Sequence, residues 1–420
     1  MRVVVIGAGL AGLSVAYELV TSGAEVTVLD RAAGPGMETS FANGALLHPS
    51  FVDPWNAPGI LSFLLRNLGR KQSPMLLRLG AIPGLLNWGM GFIRASSQER
   101  FESNAIANLR LAQYSLNVLA EIRSSAGFEY GAYQRGTLAL FRDVGALNRG
   151  VARVEWLAKH GLESHVIDVA RALSIEPALT PIADRLRGAI HFPKDEGGDA
   201  HLYCTALAGR LRRMGARLQF CTEVSSLGRR GNRIEHALDT DGHAHEADVF
   251  VLAAASDSAL LGKQVGLTVP VRPVKGYSIT VVPGEADLAP RVPISDIDLH
   301  MAAVPLADGR LRVAGTAEFS GFDRRIDPLR IRNLIRLLHE TYPHLIHNEH
   351  QIIPWTGLRP MSVDGVPIIG ATCLDNLFLN TGHGPLGWTC AAGSARLAVD
   401  AILKRSSSIE SACYAMSRFS

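Results

Sequence analysis

The first thirty residues constrain this chain more than any other stretch. An apolar run, RVVVI at residues 2–6, reads as a short buried strand and leads straight into Gly7, Gly9 and Gly12. Residues 10–22 then carry a helical pattern, and EVTVL at 25–29 reads as a second strand ending at Asp30. Each glycine has its own physical task. Gly7 permits a tight strand-to-helix turn, Gly9 leaves room for a pyrophosphate against the backbone, and Gly12 lets the helix approach the strand. The start of the helix, through Ala8, Leu10 and Ala11, offers unpaired N–H groups and a partial positive charge to phosphate oxygens. Asp30 stands where a carboxylate accepts hydrogen bonds from an adenosine ribose. A lone GxGxxG is weak, but a complete strand–turn–helix–strand–acid unit predicts dinucleotide binding, with an ordinary glycine-rich turn as the alternative. The unit by itself does not separate NAD from FAD.

The residues that follow point to FAD. Arg31 and two alanines are followed by GPGMETSFANGALLHP, in which Thr39, Ser40, Ala42, Asn43 and Gly44 form a dense run of small and polar residues. Such a run suits a backbone loop wrapped round a pyrophosphate and a flavin, whereas a simple NAD domain moves on to its next helix and strand. A surface loop of turn-forming residues would read the same way.

Composition excludes several other classes. With 47% hydrophobic and 19% charged residues the chain is an ordered globular protein, and 420 residues allow two or three domains. A net charge of +3 is too small to argue for nucleic acid as a partner. The five cysteines, Cys204, Cys221, Cys373, Cys390 and Cys413, form no CxxC pair, so neither a metal site nor a disulfide framework is expected, and reduced thiols suggest a cytoplasmic protein. The N-terminal run has one arginine before apolar residues, as a signal peptide would, but its glycine spacing reads as structure. The longest uncharged apolar stretch, residues 79–93, contains Pro83 and is too short to span a bilayer.

Ordered blocks along nearly the whole chain carry a resemblance: VVVIGAGLAGLSVAYEL, EVTVLDR, ETSFANG, PWNAPG, RGTLALFR, PKDEGGDAHL, PVKGYSIT, RVAGTAE, WTGLRPMSVDGVPIIG and LNTGHGPLGWT. The chain is similar in these to the D-amino-acid dehydrogenase (small subunit) branch of the D-amino-acid oxidase and glycine oxidase superfamily. The resemblance implies an α/β fold, with a Rossmann-like FAD-binding domain interleaved with an α+β substrate domain built on a large antiparallel sheet. The implied division assigns residues 1–60, 191–268 and 351–420 to the FAD domain and 61–190 and 269–350 to the substrate domain. Local patterns agree: a helix over 201–214, strands over 217–221 and 246–254, and β-rich VRPVKGYSITVV and LRVAGTAEF.

By the same resemblance FAD would be held non-covalently. Besides the glycine turn and the 39–44 loop, its partners would be Val224 beside adenine, Ala253 and Ala254 after a strand, and Gly357. Gly384, Pro385, Leu386, Gly387, Trp388 and Thr389 open the last helix, whose N–H groups would stabilise the negative charge of a reduced flavin. Ala255 stands where a glycine is common.

The resemblance also implies a substrate site. Arg359 would pair its planar fork of donors with a substrate carboxylate, an ion pair with Asp364 being the alternative. Tyr277 would contact the carboxylate or amine, or else bond backbone as a strand tyrosine. His383 would lie near the flavin ring, or satisfy loop carbonyls. Two departures fall where the substrate side chain is selected. Leu299 replaces a tyrosine common in the relatives, with His300 beside it, and His48 replaces a small serine-type residue. The implied reaction is oxidative deamination of a D-amino acid by hydride transfer to the flavin, giving a 2-oxo acid and ammonia, with no base needed beyond the one that deprotonates the ammonium.

Residues 54–98 contain no acid but hold Arg66, Arg70, Lys71, Arg78 and Arg94 among ILSFLL, MLLRL and LLNWGMGFI, with Trp88. This mixture suits a surface resting on anionic lipid, and the similar dehydrogenases pass electrons to a membrane quinone. Helices packed over the substrate domain with solvated arginines are the alternative. The expected location is therefore cytoplasmic and peripheral on the inner face of the membrane. Two further functions remain open: a glycine- or sarcosine-type amine oxidase using oxygen, and the flavin-carrying subunit of an opine or hydroxyproline dehydrogenase whose iron–sulfur centre sits on a partner subunit.

Overall fold

A computed structural model describes residues 1–67, 73–283, 289–345 and 351–419. The strand Arg2–Ile6 lies inside a six-stranded sheet in the order Ile368–Ala371, Leu377–Thr381, Val249–Leu252, Arg2–Ile6, Glu25–Leu29, Arg217–Gln219. Its pairings are parallel except the one between Ile368–Ala371 and Leu377–Thr381. Because successive side chains point to opposite faces, Val3 and Val5 join a core with the helices Leu10–Thr21, Ala200–Arg213 and Gly387–Ile402. Val4 and Ile6 join a second core with the three-stranded sheet of residues 224–246 and the helix Asp257–Gln264. Burial on both faces is why residues 3–6 are unbroken by polar residues.

The crossing from this strand to its helix needs its glycines. Gly7 has φ +113, and a Cβ on it would stand 2.5 Å from the Ala253 carbonyl oxygen. A Cβ on Gly12 would stand 1.8 Å from the Gly7 carbonyl oxygen.

The second large sheet has nine strands. Eight run in the order Ile353–Ser362, Val271–Val281, Leu311–Phe319, Met301–Pro305, Ile294–Asp296, Thr137–Phe141, Gly188–Phe192, His165–Ile167, and Met75–Leu77 pairs beside Leu311–Phe319. The sheet is mixed where an antiparallel one was expected. Ile294–Asp296 runs parallel to Thr137–Phe141, and Met75–Leu77 parallel to Leu311–Phe319. In both cases the partners are separated by a long crossover, which is what parallel pairing requires.

Three boundaries also move. The strand expected over 246–254 covers only Val249–Leu252, and Glu246 ends another strand, Ala244–Glu246. The expected strand over 217–221 ends at Gln219, since Cys221 has φ +54, outside the strand region. The strand Ile353–Ser362, which a cut at residue 351 would have grouped with the FAD segments, is the edge of the mixed sheet. It pairs with Val271–Val281 from Val271↔Ser362 to Thr280↔Ile353, a ladder that outweighs its proximity in sequence to the last helix. Among the described residues no helix is long and apolar enough to cross a membrane.

Candidate active site

A cavity of about 640 Å³ opens where the C-terminal ends of the parallel strands meet the mixed sheet, the usual ligand position in open α/β folds. The helix Leu10–Thr21 points its N-terminus into it. Gly9, Leu10 and Ala11 line the wall, and the cap residue Gly9 has no side chain to satisfy the first N–H groups. The Leu10 N–H donates to Ser40 Oγ at 3.2 Å. Thr39, Ser40, Ala42, Asn43 and Gly44 form the adjoining wall. Ala253, Gly357, Gly384 and Pro385 also border the cavity, with Gly387 and Trp388 at the start of the last helix.

Other expected cofactor residues shape this cavity without lining it. Gly7, Ala8 and Gly12 form the turn beneath it, while Ala254 and Leu386 pack into the cores. Asp30 accepts the N–H groups of Ala8 at 2.6 Å and Ala32 at 2.8 Å, and burial raises its pKa above the usual carboxylate value. Arg31 is held by Glu38 and Asp257 at 3.1 and 2.9 Å, so its charge is already matched within the protein. Val224 opens the strand Val224–Arg230, next to the end of Glu25–Leu29, where the Thr222 N–H donates to the Asp30 carbonyl. Thr389 accepts the His48 N–H at 3.1 Å. Ala255 has φ +50, a conformation that glycine adopts at lower cost. The helix N-terminus, the small-residue loop and Asp30 together fit an FAD.

The mixed sheet forms the opposite wall. Arg359 crosses over Gly276, where a Cβ would stand 2.1 Å from its Nη1. Nη1 donates to the Thr316 carbonyl at 3.3 Å, and the guanidinium lies 5.4 Å from the centre of the Trp55 ring. Asp364, the alternative partner, is instead held by Arg418 at 2.8 and 3.1 Å. Among the described residues no carboxylate forms an ion pair with Arg359, and burial lowers its pKa to about 10. Thr316 sits at a bulge where Leu311–Phe319 slips against Val271–Val281. Its φ of +62 is strained for a β-branched residue and turns its carbonyl toward Arg359.

Tyr277 borders the cavity, but its hydroxyl and ring are engaged in the core behind it. Gly276 and Ser278 face the cavity side, so strand alternation sends Tyr277 to the other face. Its hydroxyl donates to Glu318 Oε2 at 3.1 Å, and its ring joins the core with Met301 and Leu334. Its hydroxyl is thus engaged by a carboxylate and not by backbone, which corrects the backbone alternative. Leu299 also turns into that core, whereas His300, with φ +52, borders the cavity. His48 lines the cavity with Nδ1 unpartnered, and burial lowers its pKa to about 4. His383 also lines the cavity, likewise lowered to about 4. Its Nε2 lies 3.0 Å from Ser394 Oγ, a helix hydroxyl and not the expected loop carbonyl.

The sequence did not single out Ser50, Thr316 or Asp195. Ser50 lines the cavity and donates to Asp195 Oδ2 at 2.5 Å, while Thr137 Oγ1 donates to the same oxygen at 2.6 Å. Asp195 lay in the block PKDEGGDAHL, but nothing local signals a partner 145 residues away.

The acid-free segment is divided by the fold. On the helix Ile82–Arg94, Trp88 and Phe92 pack against Phe319 and Val274, with Trp88 Nε1 donating to the Pro270 carbonyl at 3.2 Å. Arg78 is held by Glu318 at 2.7 Å and Asp327 at 2.9 Å. Trp88 thus packs inward, as the alternative of helices over the substrate domain has it, and Arg78 is ion-paired though partly exposed. Arg70 and Lys71 lie outside the described residues. Leu86, Met90 and Ile93 are exposed on the other face of the helix, beside exposed Leu61 and Leu65, with Arg66 and Arg94 also exposed.

A family model described as FAD dependent oxidoreductase (DAO) matches residues 2–401. A protein from Paramagnetospirillum magneticum named D-amino acid dehydrogenase is 40% identical over 420 residues, covering 100% of this chain and 99% of that one. One of the same name from Vibrio atlanticus is 37% identical over 411 residues, covering 98% of each. Two solved structures share the fold. L-proline dehydrogenase from P. horikoshii superposes with a TM-score of 0.78 at 19% identity, over 100% of this chain and 97% of that one. Glycine oxidase from Geobacillus kaustophilus does so with a TM-score of 0.77 at 21% identity, over 99% of each.

Proposed function

The chain belongs to the FAD-dependent oxidoreductase family (DAO), and from that premise we propose that it oxidises a D-amino acid at the Cα–N bond. The imino acid formed hydrolyses to a 2-oxo acid and ammonia. One observation carries the reading: Arg359, a guanidinium in the cavity wall for which the described residues supply no carboxylate. A buried cation without an anion is costly, and a substrate carboxylate supplies the missing partner in two parallel bonds. The relatives named D-amino acid dehydrogenase support the choice of substrate.

FAD, when bound, supplies the two-electron acceptor for the hydride that leaves Cα. The helix N-terminus at Gly9–Ala11 and the 39–44 loop would hold its pyrophosphate, and Asp30 its ribose. The Thr316 carbonyl and the Trp55 ring hold Arg359 in one orientation, so the substrate is aligned without first ordering its anchor. Both His48 and His383 are neutral at pH 7 and leave Arg359 as the cation of this wall. In domain terms, the segments of the parallel sheet would bind FAD and the mixed sheet would form the substrate wall.

The experiment is anaerobic flavin bleaching against D- and L-amino acids. Bleaching by D-amino acids, with FAD released on denaturation, is the expected result. Release of FMN, or bleaching by glycine or sarcosine in preference with rapid peroxide formation in air, would overturn the reading.

We also propose that electrons pass to a quinone at a membrane surface, with the exposed Leu86, Met90 and Ile93 face as the contact and Arg66 and Arg94 facing anionic headgroups. Vesicles containing anionic lipid should sediment the protein, and salt should weaken the binding. Arg66→Glu with Arg94→Glu should release it, at about 1 kcal/mol for each cation removed. Flavin reduction by substrate should be unchanged in that variant. Equal sedimentation before and after the change would reject the contact.

A further inference from the structure

Hydride leaves Cα from a neutral amine, yet an α-amino group is mostly protonated at neutral pH. If the chain deaminates amino acids, a proton must leave the substrate within the cavity. The ionisable groups on its wall offer few acceptors. Asp53 is held through both oxygens by Arg153, and Asp296 by Arg142 at 2.8 Å. His383 is bonded to Ser394, burial makes both His383 and His48 weak bases and lowers the pKa of His300, and the Tyr277 hydroxyl is bonded to Glu318.

We propose that Ser50 and Asp195 form a proton relay that serves the bound ammonium. As the substrate N–H bond breaks, its proton forms a new O–H bond at Ser50 Oγ, and the original Ser50 hydroxyl proton passes to Asp195 Oδ2. The amine keeps its electron pair, Asp195 goes from anion to acid, and nothing is oxidised or reduced. After product leaves, the proton returns by the same route to cavity water. This proposal rests on the oxidative-deamination reading.

The geometry supplies the path. Ser50 lies in the short turn Pro49–Phe51, lines the cavity, and holds Asp195 at 2.5 Å. Asp195 is 1% exposed, between the strands Gly188–Phe192 and Glu196–Gly197. Thr137 donates to it from a position outside the cavity lining. The charged neighbours of Asp195 are engaged elsewhere: Lys194 with Glu163, and Glu196 with Arg123 and Gln134. Burial lowers the pKa of His191, on the adjoining strand. No cation pairs with Asp195 among the described residues, and burial outweighs its hydroxyl and backbone donors to raise its pKa to about 7. A base of that strength suits proton transfer at neutral pH.

The test is the pH profile of anaerobic flavin reduction at saturating D-amino acid, in FAD-loaded protein. The wild-type rate should rise through about pH 7 as Asp195 ionises. In Asp195→Asn that inflection should vanish, with the rate at neutral pH falling about 10²- to 10⁴-fold and recovering at high pH, where solvent takes the proton. Ser50→Ala should behave alike, and Ser50→Thr should restore the profile. Thr137→Val should keep the inflection but move it upward, because a donor to the anion is gone. A protonated-carboxyl infrared band should titrate near the same pH in the oxidised enzyme and be absent from Asp195→Asn.

A folded Asp195→Asn with the wild-type profile, or a loss that is equal at every pH, would overturn the relay and leave Asp195 a strut. If no amino acid reduces the wild type at any pH, the deamination reading itself fails and the relay falls with it.

Discussion

Two guanidinium groups on opposite sides of the same sheet are treated in opposite ways. Arg330, on the helix Pro328–Thr341, is fully buried, donates to the carbonyls of Ser73 at 2.8 Å and Ala317 at 3.2 Å, and lies 3.9 Å from Glu318. Lys275 and Arg78 converge on the same Glu318, with Asp323 and Asp327 around them. Arg359, on the cavity side, has one carbonyl and one aromatic face. Where a buried cation serves only the shape of the protein, the chain completes it. Where a cation awaits a ligand, the anion has to come from outside.

The sharpest way to break this contrast is to disturb the far side. Glu318→Ala removes the carboxylate shared by Arg78, Lys275, Arg330 and Tyr277 and should cost about 3–5 kcal/mol of folding free energy in a denaturant titration. Molecules that fold should still bind substrate with native affinity. A loss of less than about 1 kcal/mol would mean that this network is peripheral to stability.

On the near side the expected outcome reverses. Arg359→Leu should leave stability unchanged or raised, because no ion pair is lost and a buried charge is removed. FAD should stay bound, while kcat/KM with amino acids falls about 30-fold to several thousand-fold, the equivalent of about 2–5 kcal/mol. Reduction at the native rate and affinity would show that the carboxylate is held elsewhere.

Tyr277→Phe sharpens the comparison, since this residue lies between the two faces. Loss of its bond to Glu318 should cost about 0.5–1.5 kcal/mol of stability with KM unaltered. A raised KM with normal stability would return Tyr277 to the substrate site.

The smallest effect concerns acid. Hydrogen bonds from Arg325, aided by Lys275, hold the Asp323 carboxyl below its ordinary value of 3.8. A depressed carboxyl stabilises the fold at pH above its ordinary value and loses that contribution as pH falls below it. The stability difference between wild type and Asp323→Asn should therefore be at most about 1 kcal/mol at neutral pH and shrink in acid, because Asp323 is partly exposed and screened. A difference that grows as pH falls would contradict the sign.

How far the site could be read ahead of the fold depended on how local its signals were. Arg2–Ile6 and Glu25–Leu29 form where their β-branched runs predicted, and Gly9, the 39–44 loop and Gly387 line the cavity as expected. Arg359 stood out because an arginine between Leu358 and Pro360 has no obvious solvent. The Glu318 partner of Tyr277 was not legible, because alternation says that neighbours on a strand face apart but not what each face meets. The ion pairs of Arg78 and the burial of Trp88 were not legible for a related reason. Their partners, Glu318 and Pro270, lie 240 and 182 residues away.

By itself, the sequence determined the dinucleotide turn, because a strand, three glycines and a helix N-terminus interact within about thirty residues and each needs a particular backbone. It also determined the family, through blocks spread over the chain. Only the tertiary structure decided which charges are completed and which are left open. Pairing depends on distances between atoms brought together from remote segments, as Ser50 meets Asp195 and Arg78 meets Glu318, and Coulomb attraction and desolvation act on those distances and not on separation along the chain.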